Sequence, residues 1–343
     1  MVKFKDIVYS GRGSSALYAL LKALNYSECD VLLPVNICEI IYPIIKNAGY
    51  NSKFYDVDAL TGNTTLDHIK SKFTGSQKVL LLVHNFGAPV EDVFEIKIWC
   101  KEKEIFLIED VCNSLGGKYK DEYLGTIGDA SILSFGYAKI IDNNLGGGCL
   151  VRDKQLRDRV FEIINEFEVY TELHFEKNIE FQSLIQQKRL GQLIDYSYDN
   201  LYDDYFRFLI FKISDNEIQK IQKKILKLDE ITKFRNNRAA IYRDSLFKDF
   251  ILIPHVKNQT YWRFNILVDK KIRDRLLDYL HKHEVYVSKW YPPINVFFEC
   301  KQKDEKFEGA IRFSEQIINL LLYEKNHISS LYKTVELIQK YKL

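Results

Sequence analysis

The sequence predicts an α/β chain: a mostly parallel central sheet flanked by helices, followed by a smaller α+β section. Three observations carry that expectation. The first half alternates short apolar, β-rich runs with helical patterns, as βαβ units do. One run, Lys78 to His84, is apolar almost throughout, as a strand buried on both faces must be. Beyond residue 216 the order changes to a long helix, then strand and helix in turn.

Each element has its own warrant. A helix fits Ser14 to Leu24, where Leu17, Leu20, Leu21 and Leu24 share a face. A strand follows at Val31-Leu32-Leu33, then a helical stretch from Cys38 to Asn47, and Lys53-Phe54-Tyr55 leads into Asp56. After the Lys78 strand comes a charged helix from Val90 to Lys103, and then Ile105 to Ile108, which ends on Glu109-Asp110. Ala130 to Phe135 and Cys149-Leu150-Val151 read as further strands. Residues 155 to 210, rich in Phe, Tyr, Glu and Asp, show no clean period. One amphipathic helix is expected from Asn216 to Tyr242, on Ile218, Ile221, Ile225, Leu228 and Ile231. Then follow a strand at Tyr261 to Val268, a helix from Ile272 to His283, a strand around Val285-Tyr286-Val287 and two closing helices. The division expected is 1–225 for a large domain and 226–343 for a small one.

Composition bounds the function. A chain of 343 residues buries a large core, and 46% hydrophobic residues exclude a disordered chain. A net charge of +2, with both signs interspersed, leaves no footprint for nucleic acid or an anionic membrane. No apolar run is long enough to span a bilayer, and Met1-Val2-Lys3-Phe4-Lys5 lacks the apolar stretch of a signal peptide. The six cysteines are scattered, without C-x-x-C or a histidine at ligand spacing, so reduced thiols and no metal are expected. A cytoplasmic protein is the expectation.

In an open parallel sheet, ligands bind beyond the carboxyl ends of the strands. Gly11-Arg12-Gly13-Ser14-Ser15 opens a helix there; free amides and two hydroxyls suit a phosphate, although, taken alone, ordinary serine capping is the better explanation. Asp110 ends an apolar strand, either capping the next turn or facing a cationic group. Ser134 ends another strand, and Lys139 follows it ahead of Leu145-Gly146-Gly147-Gly148. Phosphate donors, a strand-end carboxylate and a lysine, in that order, form the set that pyridoxal phosphate chemistry needs.

In these and neighbouring segments the sequence resembles the DegT/DnrJ/StrS family of sugar-nucleotide aminotransferases, which have the type I PLP-dependent transferase fold. The matching segments are Gly13 to Leu17, Cys29 to Pro34, Ala48 to Asp58, Val83 to Pro89, Ile108 to Gly116 and Gly125 to Lys139. The resemblance implies that Lys139 is the Schiff-base lysine and Asp110 the partner of the pyridine nitrogen. Asn113 stands beside the ring oxygen, while Gly13, Ser14, Ser15 and Ser134 stand at phosphate-binding positions. It further implies pyridoxal 5'-phosphate as cofactor, glutamate as amino donor, a nucleotide-linked keto sugar as acceptor, and a homodimer with active sites at its interface. His84, Trp290 and Tyr291 are the candidate substrate contacts.

The chain looks like a divergent member with a short arm ahead of the phosphate loop. Cys38 stands where an aromatic ring normally stacks on the pyridine. The glycine run lacks the family's acidic residue, and Ala138 replaces the usual hydroxyl residue before the lysine. Trp290 to Asn295 resembles the H-Y-x-P-x-H segment without its histidines, and Tyr205 to Phe208 is the nearest counterpart of N-Y-R-M. Retained transamination on an unusual acceptor is the expectation. The alternatives are a PLP sugar dehydratase, whose relatives carry histidine in place of the lysine, and a non-catalytic sensor on the same fold.

Overall fold

The computed structural model describes residues 6–27, 29–246, 250–322 and 327–341. The opening five residues, read above for a leader, lie outside them. Among the described residues no helix is long and apolar enough to cross a membrane.

The chain starts with β1 (Val8–Ser10), α1 (Gly13–Leu24), β2 (Asp30–Pro34), α2 (Ile41–Asn47), β3 (Asn51–Tyr55), α3 (Leu66–Lys72) and β4 (Gln77–Val83). It continues through α4 (Val93–Glu102) and β5 (Phe106–Asp110) to a small hairpin, β6 (Lys118–Tyr119) and β7 (Glu122–Tyr123). Then come β8 (Ala130–Ser134) and β9 (Gly147–Val151). The large sheet runs β1-β9-β8-β5-β4-β2-β3 among the described residues. From β3 to β8 all pairings are parallel. The next strand turns back: β9 runs antiparallel to β8. The reason is the connection. Residues 135–146 form a loop without the crossover helix that parallel neighbours need. That loop therefore stays at the carboxyl end of β8, and Lys139 is on it.

The segment without a clean period folds as three helices: α5 (Lys154–Asn165), α6 (Glu172–Arg189) and α7 (Tyr198–Leu209). In α7, Tyr198, Leu201, Tyr202, Tyr205, Phe208 and Leu209 form one buried face. In α6, apolar residues stand all round: Phe181 and Ile185 are buried, while Phe175 and Ile179 are exposed. The single helix expected from Asn216 to Tyr242 is two, α8 (Asp215–Ile225) and α9 (Leu228–Leu246). The break lets each part bury a different contact. Ile221 packs over Gly146 and Leu228 over Gly116, and the exposed Leu226 marks the turn.

The second sheet is antiparallel, in the order β10 (Ile251–Leu252), β11 (Phe264–Leu267), β13 (Ile317–Leu320), β12 (Val287–Ser288). It shares a core with α9, α10 (Lys270–Lys282) and α12 (Ile328–Tyr341), through Tyr242, Leu276, Leu280, Leu331 and Ile338. The remaining helix, α11 (Glu308–Gln316), is capped from the large sheet: Asp56 accepts from the Gly309 and Ala310 amides, both at 2.9 Å.

A second tie lies nearer the carboxyl ends of the strands. Gly87 has φ of 97°, and a Cβ there would stand 1.8 Å from the Thr260 carbonyl oxygen. The close approach lets Trp262 N–H donate to the Phe86 carbonyl at 3.1 Å. Gly87→Ala combines left-handed strain with overpacking and should cost about 3 kcal/mol. The check is the urea midpoint, which should fall at unchanged m value.

Candidate active site

A cavity of about 470 Å³ opens beyond the carboxyl ends of β4, β5 and β8. The N-terminus of α1, the loop after β2 and helix α6 complete its wall. Its size suits a small-molecule site.

The phosphate-type wall is built by glycine. A Cβ on Gly147 would stand 2.0 Å from the Arg12 carbonyl carbon and 2.2 Å from the Gly13 nitrogen. The backbone entering α1 can lie against β9 only because that side chain is missing. Arg12 is the N-cap residue of α1, and its side chain does not cap. The first-turn amides thus receive nothing from it, and Gly13, Ser14 and Ser134 line the cavity beside them. This is the arrangement in which a helix start receives an anion.

The reactive side chains converge opposite. Asp110 ends β5, is buried, and accepts from the Cys112 amide through Oδ1 at 2.9 Å. Lys139 Nζ donates to Asn113 Oδ1 at 2.9 Å, and Asn113 Nδ2 donates to the Tyr291 hydroxyl at 3.1 Å. Tyr291 is buried, and burial raises its phenol pKa well above the ordinary tyrosine range. It stays protonated and keeps its O–H to donate. Lys139 Nζ also lies 5.7 Å from the Trp262 ring centroid. The lysine's backbone is gripped by residues beyond 226: Trp262 Nε1 donates to the Ala138 carbonyl at 2.8 Å, and Arg235 to the Lys139 carbonyl at 3.2 Å. Ala138 itself has φ of 65°, a left-handed conformation that a side chain adopts only under such restraint. Cys38, from the loop after β2, is exposed and lines the cavity.

The structure therefore gathers Lys139, Asp110, Asn113, Ser134, Gly13, Ser14, Cys38 and Tyr291 around one space. Among the cavity residues to which the sequence reading gave no role are Arg12, Asn85, Asn178 and Gln182. Asn178 and Gln182 sit on α6, where no period marked a helix. Asn85 lies two residues past the end of β4, in the Val83 to Pro89 segment quoted above. Its Nδ2 faces the carbonyls of Gly62 and Asn36, at 3.1 and 3.5 Å, while its buried Oδ1 has no partner.

Three expected site residues fall outside the cavity. Ser15 is fully buried, and its hydroxyl donates to the Leu209 carbonyl at 3.3 Å, because the helix turns it toward the core. Trp290 is held at its amide by Asn319 Oδ1 and lies under the Arg189 guanidinium, whose centre is 5.0 Å from the ring. His84 is wholly buried. Its Nδ1 accepts from the Val90 amide at 3.0 Å, which leaves the proton on Nε2 to donate to Glu109 Oε2 at 3.1 Å. Glu109 also accepts from the amides of Gly125, Ile127 and Gly128, at 2.9, 2.7 and 2.6 Å. Burial alone would raise its pKa; the His84 and backbone hydrogen bonds outweigh that and hold it below the usual range. A lowered folded-state pKa stabilises above the unfolded value and is lost as pH falls through the folded one. Glu109→Gln should thus cost about 2–4 kcal/mol at neutral pH. The deficit should shrink below about pH 4, the unfolded range of glutamate, in urea titrations run across pH.

Comparison with known proteins agrees with this geometry. The sequence profile described as the DegT/DnrJ/EryC1/StrS aminotransferase family matches residues 3–338. The GDP-perosamine synthase of Escherichia coli O157:H7 is 36% identical over 148 residues, which span 43% of this chain and 40% of that protein. The dTDP-4-dehydro-2,3,6-trideoxy-D-glucose 4-aminotransferase of Saccharopolyspora spinosa is 28% identical, over 85% of this chain and 73% of that protein. A dTDP-4-dehydro-2,6-dideoxy-D-glucose 3-dehydratase of the same organism is 34% identical, over 37% of this chain and 27% of that one. The fold matches the crystal structure of the aminotransferase TlmJ from Streptoalloteichus hindustanus with a TM-score of 0.79. That match covers 98% of this chain and 85% of the other, at 20% identity, and gives the type I fold of PLP-dependent aminotransferases. With a profile matched almost end to end over a fold of that type, the chain belongs to the DegT/DnrJ/EryC1/StrS aminotransferase family.

Proposed function

We propose that this chain is a pyridoxal 5'-phosphate-dependent aminotransferase that moves an amino group from glutamate to a nucleotide-linked keto sugar. The product would serve surface-polysaccharide or related amino-sugar synthesis. The observation that carries the reading is one cavity holding the Lys139 amine, 2.9 Å from Asn113 Oδ1, together with Asp110 and the start of α1. The reading includes a cytoplasmic homodimer with active sites at the subunit interface.

The residues present fit the cofactor by the chemistry of their donors. An amine suits an aldehyde, a buried carboxylate suits a pyridinium, and open helix amides with the Ser14 and Ser134 hydroxyls suit a phosphate. Asn85 Oδ1 is a buried acceptor left for a ligand donor. When bound, the cofactor supplies an electron sink that makes the α-hydrogen of an amino acid acidic.

The chain's own part is to bind and to move protons. Asp110 would face the cofactor's ring nitrogen and favour a proton there by its charge. Lys139 Nζ would be the group that takes the donor's α-proton and returns one to the acceptor carbon. Asn113 Oδ1 gives that amine a resting partner, and the Tyr291 hydroxyl, held protonated, donates to a ligand oxygen. Cys38 leaves the adjoining wall open where a ring would close it, which suits an uncommon acceptor.

A dehydratase of the same fold is the second reading, favoured by the 3-dehydratase relative. Lys139 supports amination over it, because the resemblance puts histidine there in dehydratases. Purified protein loaded with the cofactor should absorb in the visible, and glutamate should bleach the band. A panel of keto-sugar nucleotides then tests for its return, with mass analysis of the product. Lys139→Ala should abolish the response, and Asp110→Asn should slow turnover by about 10²- to 10⁴-fold. Loss of water without amino transfer would replace this reading by the dehydratase.

A further inference from the structure

Arg12 is the cavity residue with the least explained charge. Its backbone is seated against Gly147, and its side chain leaves the axis of α1 to line the cavity. The guanidinium donates to Asn178 Oδ1 of α6 at 2.5 Å, and its carbon lies 5.5 Å from the Phe211 ring centroid. One neutral amide and one ring face are thus its partners. Among the described residues no carboxylate lies within ion-pair distance of it. Asp110 is the one acid on the cavity wall among them.

A partly buried cation without a counter-charge carries a desolvation cost that its neutral partners return only in part. Such a group is held in place for a charge the chain does not supply. The guanidinium fork matches phosphate geometry, and it stands at the N-cap of the helix whose amides and Ser14 face the same space.

We propose that Arg12 binds a phosphate group of the ligand, with Asn178 and Phe211 as positioning residues that aim it. This rests on the reading above for the identity of the ligand, though not for the chemistry of the site. The phosphate has two possible sources, the ester of pyridoxal 5'-phosphate or the diphosphate of the nucleotide sugar. In either case α6 has a role: the segment without a sequence period holds the cation in place from within the same chain.

The test is a set of binding titrations on full-length protein freed of cofactor, using pyridoxal 5'-phosphate, pyridoxal, GDP, dTDP and pyrophosphate. Arg12→Ala should weaken at least one phosphate-bearing probe by about 10- to 100-fold and leave pyridoxal unchanged. Arg12→Lys should recover part of the loss, since it restores the charge without the fork. Asn178→Ala should weaken the same probe by about 3- to 10-fold. A loss confined to pyridoxal 5'-phosphate assigns Arg12 to the cofactor ester; a loss confined to GDP, dTDP or pyrophosphate assigns it to the nucleotide. Either supports the proposal. Unchanged affinity for every phosphate probe overturns it, as does an equal loss for pyridoxal, which marks a merely structural role. If the unaltered protein binds no pyridoxal 5'-phosphate, the proposed function fails, while the diphosphate titrations still decide for or against Arg12.

Discussion

The site depends first on a contact between backbones. Arg12 and Gly13 lie so close to Gly147 that any side chain there would overlap the chain entering α1. That contact fixes where the helix starts, and with it the direction of the amides facing the cavity. It acts together with the pairing of Ser10 with Gly147, which registers β1 on β9. A glycine run at 146–148 reads in sequence as a turn. In the structure it is also the surface on which the helix is seated, which is why residues so far apart in the chain behave as one unit.

The second constraint sits next to the site without entering it. Glu109 and Asp110 are neighbours on β5, and strand alternation sends them to opposite faces. Glu109 is drawn into the amides of the turn at 125–128 and the ring of His84. Asp110 faces the cavity. Two adjacent carboxylates are thus placed differently: one anchors the loop that leads into β8, and the other is left on the cavity wall. The buried His84 ties the end of β4 to the same carboxylate and to the Val90 amide.

Much of this was legible in the sequence. The parallel strands and the Asp110 and Ser134 positions follow from apolar runs that stop at a polar residue, and Lys139 from its place in the loop just beyond Ser134. The direction of β9 was left open because a strand's apolar pattern does not carry it; only the lack of a helix between β8 and β9 does. Helix α6 was missed because apolar residues surround it, so no face stands out. The aromatic face of α7 was there to be found, with tyrosines in place of leucines among aspartates. His84 was misplaced because an imidazole at a strand end looks alike whether it meets a ligand or a buried carboxylate.

Two long-range hydrogen bonds hold the loop after β8 by its main chain. Trp262 and Arg235 hold the carbonyls of residues 138 and 139, and neither hydrogen bond reads which side chains those residues carry. The architecture therefore separates placement from chemistry: a different side chain at 139 would be delivered to the same point in space by the same clamps. Both hydrogen bonds act on the peptide, so the path of residues 138 and 139 is set apart from the contact that the Lys139 side chain makes with Asn113.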